Sequence, residues 1–137
     1  MSFASKWLFR AYRNHATKTH KLNYLFWECT TRCNLNCLHC GSDCKKDARY
    51  ADFPLEVFLK ALDTIPNNRR DITVVLTGGE PLLRKDLSKA GREIRLRGMR
   101  WGMVSNGLLY TPEIHNELLS SGMGALTLSL DGMETNH

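Results

Sequence analysis

All five cysteines of this 137-residue chain lie in one stretch of sixteen residues, CTTRCNLNCLHCGSDC, which runs from Cys29 to Cys44. Cys33, Cys37 and Cys40 have the spacing C-x3-C-x2-C, so three thiolates can wrap one compact metal centre. A structural zinc site takes four ligands, often from two separated C-x2-C pairs. A four-iron cluster is normally held by four cysteines, so three would leave one iron open to another ligand. The spacing alone leaves both interpretations open.

The other groups in this stretch bear on the same choice. Cys29, Cys44 or His39 can supply a fourth ligand to zinc, whereas we expect Cys29 and Cys44 to be free thiols. The start of the chain has no apolar segment typical of a signal peptide, which predicts a cytoplasmic protein. In a reducing compartment, clustered cysteines bind metal or do chemistry more often than they form disulfides.

Three further stretches combine glycine with small polar residues: TGGEP from Thr77, SNG from Ser105 and SLDG from Ser129. Glycine lets a backbone approach a ligand closely because it has no Cβ. Carboxylates, hydroxyls and amides can bind the polar groups of such a ligand. Taken one at a time, however, these residues are also ordinary turn formers.

Each of the four stretches follows an apolar segment that predicts a buried β-strand. The predicted strands are Leu22–Glu28, Ile72–Thr77, Gly102–Ser105 and Leu126–Leu130. Helical spacing of apolar residues separates them at 52–65, 86–98 and 111–122, with Asp52, Asp86 and Thr111 as candidate caps. This alternation predicts an α/β fold with a parallel sheet, either an open sheet or an arc of a barrel. The chemistry-bearing stretches then share the carboxyl-terminal edge of that sheet.

The stretch ECTTRCNLNCLHC resembles the signature of radical S-adenosylmethionine (SAM) enzymes. TGGEPLLRKDL, VSNG and LSLDG follow it in the order typical of that family, so the resemblance covers roughly residues 22–132. Within that family, the sequence is most similar to the SPASM-type subgroup, whose members modify peptides and proteins. The resemblance implies a (β/α)6 core, of which this chain supplies about four strands and three or four helices as a partial TIM-like barrel.

The resemblance also implies a set of ligands and roles. Cys33, Cys37 and Cys40 would bind three irons of a [4Fe-4S] cluster, and the fourth iron would bind SAM. The expected SAM contacts are His39, Gly78, Gly79, Glu80, Ser105, Asn106, Ser129 and Asp131. Reductive cleavage of SAM would yield a 5′-deoxyadenosyl radical that removes hydrogen from a peptide or protein, with ferredoxin or flavodoxin as electron donor. A small zinc-binding interaction module is the alternative.

Charge divides the chain into two parts. Residues 1–21 form a basic amphipathic segment, and residues 22–137 are expected to be the N-terminal part of the barrel, cut short at its carboxyl end. The first 27 residues contain five basic residues and no acid, while the rest is balanced, which argues against nucleic-acid binding. The basic segment can touch a membrane, nucleic acid or an acidic partner, but we expect it to pack on the domain through its aromatics. No apolar run is long enough to span a membrane.

Overall fold

The computed structural model describes residues 3–19, 21–48, 50–130 and 132. An N-terminal helix is followed by four strands, and three helices lie on the connections between them. The helices are α1 (Phe3–Thr19), α2 (Leu55–Asp63), α3 (Leu87–Leu96) and α4 (Pro112–Ser120), and the strands are β1 (Tyr24–Thr30), β2 (Thr73–Gly78), β3 (Arg100–Ser105) and β4 (Met123–Leu128).

The four strands form one parallel sheet in the order β1-β2-β3-β4. Phe26 pairs with Val75, Val75 with Gly102, and Gly102 with Ala125. Every strand therefore ends at the same edge of the sheet, which confirms the predicted α/β fold and parallel order. The cysteine loop (residues 31–45) and the three polar stretches all follow strands at this edge.

The core lies between one face of the sheet and helices α2 to α4. Val74 and Leu76 of β2, with Trp101 and Met103 of β3, are at most 2% exposed. Trp27 of β1 stacks on Phe58 of α2, with ring centroids 3.9 Å apart and planes 8° from parallel. The opposite face of β1 is open, since Tyr24 and Phe26 are more than 60% exposed.

The predicted element boundaries differ from the structure by two or three residues at β1 and β4. β1 begins two residues later than expected and continues to Thr30, and β4 begins at Met123 rather than Leu126. Asp52 does not cap α2, which begins after Pro54, because its carboxylate binds Arg32 and Thr30 instead. Thr111 does cap α4, where its hydroxyl accepts a hydrogen bond from the Ile114 amide.

Helix α1 differs from the expectation that its aromatics pack on the domain. Trp7 is 66% exposed and Tyr12 is 68% exposed. Among the described residues of α1, only Ser5 is partly buried, and residues 4 and 6–19 are all exposed. Neither α1 nor any other helix in the described ranges combines the length and apolarity needed to cross a bilayer.

Candidate functional site

The loops at the carboxyl-terminal edge of the sheet enclose an open cavity of about 320 Å³. It lies where the cysteine loop faces the ends of β2, β3 and β4. Nine of the predicted site residues line it: Cys33, Cys37, His39, Cys40, Gly78, Gly79, Ser105, Asn106 and Ser129. The structure thus brings together groups that are separated by up to 96 positions in the sequence.

The cysteine loop is held in shape by a few backbone contacts. Arg32 and Lys45 form a parallel β-bridge at its base, and the Cys33 amide donates to the Lys45 carbonyl at 3.0 Å. A turn at its far end is closed by the Cys40 amide, which donates to the Cys37 carbonyl at 3.2 Å. These contacts present all three thiols of the C-x3-C-x2-C spacing to one cavity.

The thiols line the cavity without converging on a point. Among the described residues, no three Cys, His, Asp or Glu side chains are gathered closely enough to hold a single metal ion. A zinc site requires its ligands at about 2.0–2.3 Å from one centre. A cubane cluster instead takes each thiolate on a different iron, so its ligands stand apart. The donor set of three thiols around a cavity fits the cluster.

Gly78 and Gly79 pack strand against strand as well as lining the cavity. Gly78 has a φ of 114°, and a Cβ there would collide with the Thr30 carbonyl oxygen. A Cβ at Gly79 would collide with the Arg32 carbonyl oxygen. The amides of Gly79 and Glu80 donate to these same two carbonyls at 2.8 Å. Both glycines are therefore required for the end of β2 to approach the start of the cysteine loop.

Glu80 does not face the cavity. Its side chain is fully buried, and its carboxylate accepts three hydrogen bonds. Oε1 accepts from the Ser105 hydroxyl at 2.9 Å and from the Leu82 amide at 3.1 Å, and Oε2 accepts from the Asn106 amide at 2.8 Å. The carboxylate therefore ties TGGEP to SNG. In this structure its lone pairs are directed to the protein rather than to a ligand.

Asn106 connects the end of β3 to the cysteine loop. Its Nδ2 donates to Asn34 Oδ1 at 2.8 Å and lies 3.8 Å from Cys33 Sγ. These two contacts hold the end of β3 against the cysteine loop. Asn34 belongs to the stretch that resembles the family signature, but its contact with Asn106 was not predicted, because the two residues are 72 positions apart.

The remaining predicted contacts differ in their surroundings. The Ser129 side chain is exposed and lines the cavity, while its amide donates to the Ser105 carbonyl at 2.9 Å. His39 lines the same cavity from the exposed side of the cysteine loop. Asp131 lies outside the described residues. The roles of these three residues toward SAM stay predictions.

The two cysteines outside the C-x3-C-x2-C spacing have different positions. All five cysteines are free thiols. Cys29 is fully buried in the core beneath the sheet edge, and this burial raises the pKa of its thiol to about 12. Cys44 is buried but lines the cavity together with Cys40. Its pKa is also raised, chiefly by burial and then by the neighbouring Cys40 and Cys33 thiols.

The sequence did not predict the role of Arg84, a buried arginine that binds the end of β1 just before the cysteine loop. The side chain of Arg84 is only 3% exposed and donates to the Cys29 carbonyl at 2.5 Å and to the Phe53 carbonyl at 3.1 Å. Asp86 binds its Nε and Nη2 at 2.8 and 2.7 Å, and the guanidinium lies 5.0 Å from the Trp27 ring centroid. The only signal in the sequence was an arginine two residues before an aspartate.

A second ion pair braces the entry to the loop. Arg32 donates to both carboxylate oxygens of Asp52 and, at 3.1 Å, to the Leu83 carbonyl. Thr30 donates its hydroxyl to the same carboxylate at 2.5 Å. The Arg32 guanidinium holds the pKa of Asp52 below its usual range. Thr30 and Asp52 therefore brace the loop together with Arg32.

Among proteins of known function, a similar sequence is the AdoMet-dependent heme synthase of Methanosarcina barkeri. It is 32% identical over 114 residues, which cover 83% of this chain and 32% of that protein. The chain thus spans about a third of the length of this relative.

Solved structures with the same fold include BtrN in complex with AdoMet and 2-DOIA, with a TM-score of 0.65 and 18% identity over 78% of this chain and 45% of that one. Another is Streptococcus suis SuiB bound to precursor peptide SuiA, with a TM-score of 0.64 and 18% identity over 91% of this chain and 28% of that one. The family model of the radical SAM superfamily matches residues 27–137, which include the second half of β1, the cysteine loop and strands β2 to β4. The chain therefore belongs to the radical SAM superfamily, whose members use a [4Fe-4S] cluster and SAM.

Proposed function

We propose that this protein uses a [4Fe-4S] cluster bound by Cys33, Cys37 and Cys40 to cleave SAM reductively. The observation that carries the proposal is the arrangement of these three thiols with Gly78, Ser105 and Ser129 around one cavity. When bound, the cluster would supply the electron that splits SAM into methionine and a 5′-deoxyadenosyl radical, and that radical would take a hydrogen atom from the substrate.

The residues of the chain position the reactants for this step. The loop backbone presents three thiols to the cavity, where they would hold the cluster with room for SAM beside it. Gly78 and Gly79 line one side of the cavity with backbone atoms alone. The hydrogen bond from the Ser129 amide to the Ser105 carbonyl joins the ends of β3 and β4. Glu80 holds TGGEP and SNG at a fixed separation, so it acts on the SAM site through its neighbours.

The arrangement of donors supports this proposal over a zinc-binding interaction module. A zinc module needs four ligands within coordination distance of one ion, whereas the thiols here surround a cavity. Cys29 is unsuited to the fourth position because it is buried in the core with a pKa near 12. Cys44 is the better-placed fourth thiol, which makes its replacement the informative control.

The experiment is anaerobic reconstitution of the chain with iron and sulfide, followed by analysis of both elements and of the spectrum. We expect close to four irons and four sulfides per chain, as a cubane cluster requires. Replacing Cys33, Cys37 or Cys40 by Ala should abolish uptake, while Cys29→Ala and Cys44→Ala should retain it. Addition of SAM should change the electron paramagnetic resonance spectrum of the reduced cluster. Stoichiometric zinc without sulfide in the native protein would contradict the proposal.

For the substrate we propose a peptide or protein, with a reduced ferredoxin or flavodoxin as electron donor and the cytoplasm as location. The support is the motif resemblance to the SPASM-type subgroup and the shared fold with SuiB, which was solved with a precursor peptide. A tetrapyrrole is the second candidate, because a relative with 32% identity is a heme synthase. Adding peptides or iron porphyrins to the protein that contains this chain, and measuring SAM-dependent product by mass spectrometry, distinguishes the two.

A further inference from the structure

Helix α1 is the part of the molecule that the proposed chemistry leaves unused. It spans Phe3–Thr19 and has no acidic residue. The five basic residues of the first 27 positions account for the whole net charge of +5, because the rest of the chain holds fourteen basic and fourteen acidic residues. A concentrated positive charge on an exposed helix indicates an anionic partner.

Three of the four basic residues of α1 lie on one side of the helix, and most of its apolar residues lie on the other side. Lys6, Arg10 and Arg13 follow one another at intervals of four and three, so they form one stripe. At 100° per residue, Leu8 lies opposite this stripe. Trp7 and Phe9 lie at its two borders, and the side around Leu8 carries Ala4, Ala11, Tyr12 and Ala16 together with the polar residues Ser5, His15 and Thr19. This division is typical of helices that lie in the plane of a membrane surface.

The apolar side of α1 is exposed in the structure. Trp7, Leu8, Phe9 and Tyr12 are between 55% and 68% exposed. Large exposed apolar groups that are contiguous on one helix mark an interaction surface rather than ordinary surface scatter. The last turn also contains Lys18, whose long side chain can extend from an apolar surface to the headgroups.

We propose that α1 docks the protein on a membrane surface that contains anionic phospholipids. Such a surface offers phosphate groups to the basic stripe and acyl chains to the apolar side at once. A nucleic acid supplies only the first of these. A second copy of the chain would bring two basic helices together, at a cost in like-charge repulsion. The proposal concerns a helix that lies on the membrane and does not span it.

The test uses the 137-residue chain and vesicles of phosphatidylcholine with or without phosphatidylglycerol. We expect binding only to the anionic vesicles, in a flotation assay. Lys6→Glu combined with Arg10→Glu should weaken the binding at least about tenfold, since each basic residue near an anionic surface contributes favourably. Lys60→Glu combined with Arg92→Glu is the matched control, because it changes the charge equally on exposed positions of α2 and α3, and it should retain binding.

The apolar contribution has its own matched pair. Leu8 is 61% exposed on α1 and Leu96 is 79% exposed on α3. Leu8→Ser should weaken vesicle binding, and Leu96→Ser should leave it unchanged. Trp7 is 66% exposed, whereas Trp27 and Trp101 are 6% and 1% exposed. A blue shift of tryptophan emission on adding vesicles should therefore come from Trp7 and disappear in Trp7→Phe.

The proposal is overturned by any of three results. The first is absence of binding to anionic vesicles. The second is equal binding to neutral vesicles or undiminished binding of the charge-reversed variant. The third is a vesicle-independent blue shift that rises with protein concentration, together with a larger sedimentation coefficient, because that pattern means that α1 pairs with a second copy.

Discussion

At the scale of single residues, the Glu80 carboxylate is the clearest test of how the site is held. In Glu80→Gln the amide nitrogen has to face either the Asn106 amide or the Leu82 amide, both of which are donors. A donor that faces a donor in a buried position costs about 1–3 kcal/mol. We expect a lower midpoint of urea unfolding and weaker SAM binding to the reconstituted protein.

Glu113→Gln is the matched control for this substitution, because Glu113 is exposed on α4. It should leave the urea midpoint and SAM binding nearly unchanged. If Glu80→Gln were as stable as the original chain and still bound SAM weakly, Glu80 would contact SAM directly and its proposed positioning role would be wrong.

The residues of the site were predictable where the sequence pattern is local. Gly78 and Gly79 stand out as a pair after an apolar strand, and Cys33, Cys37 and Cys40 stand out by spacing. The partners of Glu80 were not predictable, because Ser105 and Asn106 are 25 and 26 positions away and meet it only when β2 and β3 are adjacent.

At the scale of elements, Arg84 joins β1, the start of α2 and the start of α3. Arg84→Lys keeps the charge but cannot reproduce the paired contact with Asp86 together with the bonds to two carbonyls. One or more buried carbonyls would then lack a donor, so we expect a loss of about 1–3 kcal/mol in the free energy of unfolding. Chemical denaturation measures it. Arg92→Lys on the exposed side of α3 should have almost no effect, and an equal loss there would refute the assignment.

The Asp52 carboxylate predicts a dependence of stability on pH. Arg32 lowers its pKa in the folded protein below the ordinary value of 3.8. Its contribution is therefore complete above the unfolded pKa and is lost as the pH falls from about 4 through the lowered folded pKa. Asp52→Asn should be less stable at neutral pH and should lose less stability on acidification. Urea midpoints at pH 7 and near pH 3 measure both effects, and parallel acid losses in the two proteins would contradict this prediction.

The elements show why order was easier to predict than boundaries. Alternation of apolar strands with capped helices indicated the parallel sheet, and Thr111 capped α4 as expected. The aspartate before α2 also looked like a cap, but its carboxylate binds an arginine twenty positions earlier. The sequence indicated that α1 is an amphipathic helix. It did not indicate that the helix is exposed, because exposure depends on whether the rest of the domain offers an apolar surface for it to pack on.

At the scale of the whole molecule, the open face of the sheet predicts limited chemistry by this chain alone. The side chains of Tyr24 and Phe26 are more than 60% exposed on the face opposite the helices. A 5′-deoxyadenosyl radical needs a site closed to water and to competing hydrogen donors. We expect the 137-residue chain to bind the cluster, to bind SAM weakly and to give less than one 5′-deoxyadenosine per cluster with dithionite. Many turnovers coupled to modification of a substrate would show that these residues suffice.

The strand order β1-β2-β3-β4 has a consequence for how the chain acquires its structure. Each strand pairs with the strand made just before it, so each step of sheet growth waits only for the next strand and the connection that leads to it. Closing short segments costs less chain entropy than closing long ones, and topologies rich in local contacts fold faster. A nascent chain emerging from the ribosome can therefore add one strand at a time. The cysteine loop follows β1, and the end of β1 and the start of the loop gain their hydrogen bonds from the Gly79 and Glu80 amides as soon as β2 pairs with β1.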